Sequence, residues 1–169
     1  MPSLIVIKIK CDLYLVRFLE KLYGPSPISF PDKSNFNMFL DVFLQIPPLG
    51  YHEKDYGENT LSIQLPYFEN KNVLSYFYLS DFEQEKFVNE IWKFFKITFR
   101  KEISKYIMVG LYRKDSIEVF IRRYNLPMDC WDMLEKDYQR YIVLSWKRRL
   151  FKKIPNVSSR RADCPARKS

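Results

Sequence analysis

Hydrophobic and polar positions alternate at the start of the chain, with Ile5, Ile7 and Ile9 on one side of an extended segment and Val6, Lys8 and Lys10 on the other. A period of two is the mark of a half-buried strand, predicted here over residues 4–9. The period then changes: Leu15, Val16, Leu19, Leu22 and Tyr23 recur at helical spacing until Gly24, Pro25 and Pro27 stop the helix. A short extended piece from Ile28 to Phe30 is suited to pair with strand one. Ser34 can cap a second helix with Phe36, Phe39, Leu40 and Phe43 on one face, ended by Pro47 and Pro48. A polar loop from Leu49 to Asn59 follows. Leu61, Ile63 and Leu65 alternate with polar residues, as do Leu74, Tyr76 and Tyr78 in part, so the two runs predict a hairpin across Glu69 to Asn72.

From Ser80 onward the pattern is helical. Ser80 and Glu83 have the spacing of a capping box, in which hydroxyl and carboxylate each satisfy a free backbone donor. The helix it opens, to about Tyr106, gathers Phe87, Ile91, Phe94, Phe95, Thr98 and Phe99 on one broad face. Gly110 breaks it. Asp115 with Glu118 repeats the capping spacing ahead of Ile117, Phe120, Ile121 and Tyr124, and a turn from Asn125 to Met128 contains Pro127. Asp129 can cap a last helix whose stripe is Trp131, Leu134, Tyr138, Tyr141, Ile142 and Trp146. The fold class expected is α+β: a small N-terminal sheet with helices, then a helical C-terminal half ending in a paired-helix unit and a basic tail. The expected organisation is an α+β body over 1–110, a helical hairpin packed on it over 111–150, and a basic, disordered tail over 151–169.

Charge divides the chain unevenly. Of 28 basic and 20 acidic residues, nine basic and one acidic lie in 147–169, leaving 19 of each in the preceding 146 residues. A positive end on a neutral body suits a polyanion, nucleic acid above all. The amphipathic Lys-rich and Phe-rich helix from Ser80 to Tyr106 also has the composition of a membrane-surface helix, but its ring-filled face reads better as the centre of a core. No run of apolar residues approaches the length of a membrane span, so no membrane partner is expected. Three widely spaced cysteines, Cys11, Cys130 and Cys164, do not make a disulfide framework or a zinc site and favour a reducing, cytoplasmic setting.

Catalytic chemistry has little to stand on. His52 is the only histidine, which excludes paired-His metal motifs and His-X-His nickase arrangements. A tyrosine-recombinase constellation, a phosphate-cradling glycine loop and a Gly-X-Ser-X-Gly elbow are all missing. No enzyme activity, cofactor or metal is therefore expected.

The C-terminal helix pair is the most specific arrangement. Two helices joined by a three-to-four-residue turn cross at a large angle, and Arg122 and Arg123 on the first, with Lys136, Arg140 and Lys147 on the second, could grip phosphates from two directions. Over residues 115–149 it resembles the DNA-binding helix-turn-helix of small phage and mobile-element regulators. The resemblance is carried by Asp115, Ile117, Phe120, Ile121, Tyr124, Leu126, Leu134 and the basic run after Trp146. It implies a non-enzymatic nucleic-acid-binding protein, with duplex DNA as the ligand. The contacting residues would be Arg122, Arg123, Lys136, Arg140, Lys147, Arg148, Arg149, Lys152, Lys153, Arg160 and Arg161. One departure stands out: Met128, Asp129, Asp132 and Glu135 put negative charge where the second helix of that class reads bases. An αα-hairpin closing the core has the same pattern, so the alternative is a structural or assembly module, binding a protein or a second copy of itself, with a solvated basic tether.

Overall fold

The computed structural model describes residues 5–68 and 71–152, with side chains as far as Ser145. The fold is α+β. In chain order the elements are β1 (Val6–Lys10), α1 (Leu13–Tyr23), α2 (Asn35–Phe43), β2 (Thr60–Gln64), α3 (Asp81–Met108), α4 (Arg113–Tyr124) and α5 (Trp131–Lys152). Single 3-10 turns at Gly57–Asn59 and Met128–Cys130 lead into β2 and α5.

The sheet is a two-stranded antiparallel pair with Ile7 opposite Ile63 and Ile9 opposite Leu61. All four side chains are buried on one face, so cross-strand apolar pairs fix the register. Two expectations fail here. The Ile28 segment lies not against β1 but against the far edge of β2, where Ile28 N–H donates to the Ser62 carbonyl and Gln64 N–H to the Ile28 carbonyl, both at 2.9 Å. With both edges of β2 occupied, residues 74–78 have no strand to join. They turn at Asn72, whose carbonyl accepts from Ser75 and Tyr76, and Tyr78 instead exchanges two backbone hydrogen bonds with Gln45.

Helix α3 organises the rest. Its cap is the complete box foreseen, with Ser80 and Glu83 each bonding to the other's backbone N–H. At 28 residues it runs about 42 Å. Its fully buried residues are Phe87, Ile91, Phe95, Phe99 and Ile103. Steps of four residues overshoot the 3.6-residue turn by about 40°, so over four steps the buried stripe rotates through about 160°. That rotation lets one helix serve successive neighbours. Phe87 meets Phe36 and Phe39 of α2, Phe95 meets Tyr14 and Phe18 of α1, and Phe99 meets Phe120 of α4 and Tyr138 of α5. Phe18, which falls outside the predicted α1 stripe, is completely buried at this crossing.

The turns explain the later helix boundaries. α3 ends with Gly110 at φ 99°, a left-handed position that suits glycine, while Leu111 N–H reaches back to the Tyr106 carbonyl at 3.1 Å. Tyr112 is then extended and α4 starts at Arg113, so Asp115 lies inside the first turn and is not its cap. α4 closes in the same manner with Asn125 at φ 51° and Leu126 N–H on the Ile121 carbonyl at 3.0 Å. Asp129 does not cap α5 either. It sits in the 3-10 turn begun by Pro127, where Cys130 Sγ donates to the Pro127 carbonyl at 2.9 Å.

Candidate nucleic-acid interface

Helix α5 seats only part of its predicted stripe. Leu134 and Tyr138 are buried, Trp131 and Ile142 are half-buried, and Tyr141 is exposed. Trp146 and its expected alignment with Trp131 lie outside the residues whose side chains are described.

Polar contacts fasten the first half of α5 to its neighbours. Asp137 takes a two-pronged bond from Arg100 of α3, Nε to Oδ2 at 2.8 Å and Nη2 to Oδ1 at 2.7 Å, with Lys96 Nζ 3.5 Å from Oδ1. The planar fork of a guanidinium matches a carboxylate in this way, which makes such pairs directional as well as strong. The Arg100 guanidinium also lies 5.2 Å from the Tyr141 ring centre, and Lys96 Nζ 3.4 Å from that of Trp92. On the other flank Glu135 accepts from Arg113 of α4 at 3.1 Å. Asp137 was not singled out from the sequence, and Glu135 only as negative charge at the start of the second helix. Their signal is positional: each adjoins Leu134 or Tyr138, so each lies at the border between the apolar stripe and solvent.

The arginines of α4 are also partnered. Arg122 pairs with Glu118 one turn back at 2.5 Å. Arg123 donates to the Tyr106 hydroxyl at 3.1 Å and lies 3.5 Å from Glu102. Glu102 is the hub of that cluster, since it also accepts from the Tyr106 hydroxyl at 3.2 Å and the Tyr124 hydroxyl at 2.7 Å. Burial, reinforced by the hydrogen bond to Glu102, pushes the Tyr124 phenol well above its ordinary value.

Lys136 and Arg140 differ from these. They stand four residues apart on the outer face of α5, both exposed, and among the described residues neither has a carboxylate within ion-pair distance. The backbone of α5 continues helically to Lys152, so Lys147, Arg148, Arg149 and Lys152 belong to this helix. Lys153, Arg160 and Arg161 lie outside the described residues.

Other reactive groups are quiet. Burial pushes the Cys11 thiol up to about 12 and the Cys130 thiol up to about 11, so both are protonated near neutral pH. His52 is exposed on its loop, and the acids beside it, Glu53 and Asp55, lie 3.9 and 3.6 Å from Lys8. Among the described residues there is no cluster of three or more His, Cys, Asp or Glu suited to a metal ion, and no helix is long and apolar enough to cross a membrane. The chain matches no protein-family model, no curated protein and no solved structure.

Proposed function

We propose that this protein binds nucleic acid without catalysing a reaction, with duplex DNA as the ligand, through the outer face of α5 and the basic segment that continues it. The observation that carries the reading is the contrast in partners. The basic residues that reach across to neighbouring helices, Lys96, Arg100, Arg113 and Arg123, are neutralised by Asp137, Glu135 and Glu102, and Arg122 by Glu118 of its own helix, whereas Lys136 and Arg140 point outward without partners among the described residues. An unpaired cation in solvent has a condensed phosphate as its best partner, because each contact releases a counterion from the polyanion.

Continuation of α5 to Lys152 supports the reading further, since it places four more basic residues on the same helix. The start of α5 is unsuited to base reading, with exposed Asp129 and Asp132. Contact is therefore with the phosphate backbone, and sequence selectivity is low. A phage or mobile-element regulator of helix-turn-helix type remains the class that the helix pair resembles, with the load shifted from the start of its second helix to the far end. A cytoplasmic setting accords with two buried, protonated thiols.

Duplex DNA retardation, repeated over a range of salt, tests this. Truncation after Trp146 removes nine basic residues and should abolish most of the binding. Lys136→Ala with Arg140→Ala should lower the slope of log affinity against log salt by about 2, at roughly 0.9 per phosphate contact, with an unchanged far-UV spectrum. Equal affinity of the truncated and full chains would overturn the reading.

A further inference from the structure

Helices α2 and α3 leave an open apolar groove of about 630 Å³ between them, floored by Phe36 and Phe94 and walled by Met38 and Val42 on one side and Ile97 on the other. Met38, Val42 and Ile97 are 60, 68 and 64% exposed. A contiguous set of large apolar side chains in solvent on a chain with a well-filled core marks an interaction surface. We propose that a second copy of this chain occupies the groove, with a two-fold axis laying the Met38–Val42 ridge of each α2 into the groove of the other.

Charge selects this occupant. The rim carries one residue of each sign, Glu90 and Lys93, which pair at 2.6 Å within one copy. A two-fold operation brings Glu90 of one copy to Lys93 of the other, so the rim is complementary to itself. An acidic partner would compete with Glu90 for Lys93, and a basic one with Lys93 for Glu90. The bodies also carry no net charge to repel one another, because the first 146 residues hold 19 basic and 19 acidic groups and the excess charge lies beyond them. Ridge and groove are adjacent on a single helix pair, which is the condition for the same patch to serve both sides of a closed dimer. Pairing would present two basic α5 helices together and multiply a weak phosphate affinity.

Sedimentation velocity on nuclease-treated full-length protein in high salt is the test, since those conditions remove nucleic acid as a bridge and leave apolar contact intact. A concentration-dependent monomer–dimer equilibrium is expected. Val42→Glu should weaken it by about tenfold or more, because a carboxylate would be buried in the seam. In nuclease-treated protein at about 0.1 M salt, where the Debye length of about 10 Å leaves the rim charges active, Glu90→Lys and Lys93→Glu should each weaken the homodimer, whereas mixing the two variants should restore dimer, which effects on folding alone would not do. A monomer at every concentration, a dimer indifferent to Val42→Glu, or single charge variants that do not recover on mixing would each overturn the proposal. Failure here leaves DNA retardation by the monomer unaffected, so the two ideas stand or fall separately.

Discussion

Leu134 and Leu144 lie on the same helix, one 1% and the other 54% exposed. Around Leu134, α5 is clamped: Tyr138 is buried against Phe99, Asp137 holds Arg100 and Lys96, and Glu135 holds Arg113. Around Leu144, Tyr141 and Val143 are also exposed. The lesson concerns charge more than packing. On its inner flanks the acids of α5 neutralise basic residues of neighbouring helices, whereas Lys136 and Arg140 on its outer face have no carboxylate partner among the described residues. If the protein binds a polyanion as proposed, the availability of cations, not their number, would locate that surface.

The largest effect that would break this comparison is a truncation on the clamped half. Leu134→Ala removes a fully buried side chain and should cost about 2–5 kcal/mol, while Leu144→Ala should stay within about 0.5 kcal/mol. Urea unfolding followed by circular dichroism measures both. Similar losses would mean that the far half of α5 is packed as firmly as the near half.

Asp137 comes next. Its loss would leave Arg100 and Lys96 partly buried beside Tyr141 and Trp92 without a carboxylate, so Asp137→Ala should cost about 1–3 kcal/mol. It would also free two cations on the α3–α5 seam. DNA affinity in low salt should therefore rise although stability falls, a combination that general damage to the fold would not produce. Unchanged affinity would show that the seam is closed to phosphate whatever its charge.

Helix existence was legible in the sequence because capping and periodicity agree with packing, as at Ser80, Gly24 and Ser34, where the structure places the helix ends as expected. Strand pairing was not. The runs at Leu61–Leu65 and Leu74–Tyr78 each alternate, but alternation says only that a strand has two faces, and β2 took β1 and Ile28 as neighbours instead. The caps at Asp115 and Asp129 failed for local reasons: after the turn at Gly110, α4 starts at Arg113, before Asp115, and Pro127 opens a 3-10 turn that holds Asp129 ahead of α5. Within the candidate site, the basic residues could be named from composition, but which of them are neutralised depends on carboxylates 4 to 21 residues away in sequence, from Glu118 beside Arg122 to Glu102 beside Arg123. Only the fold brings the distant ones together.

The smallest effects distinguish the two arginines that end α4. Arg122 has a side chain 77% exposed and pairs with Glu118 at i, i+4 in the favourable order, acid toward the N-terminus. Its replacement by Ala should cost about 0.3–0.5 kcal/mol. Arg123 reaches across to α3, where Tyr106 and Glu102 hold it, and a helix C-terminus favours its charge, so Arg123→Ala should cost somewhat more, about 0.5–1 kcal/mol. Both belong to the basic set first read from the sequence, and both already have carboxylates. The double variant should therefore leave the salt slope of DNA binding nearly unchanged, whereas Lys136→Ala with Arg140→Ala lowers it by about 2. If the slope falls equally in the two double variants, phosphate competes successfully with Glu118 and Glu102. The interface would then extend over both helices of the pair, gripping the duplex from two directions as the helix-turn-helix resemblance implies.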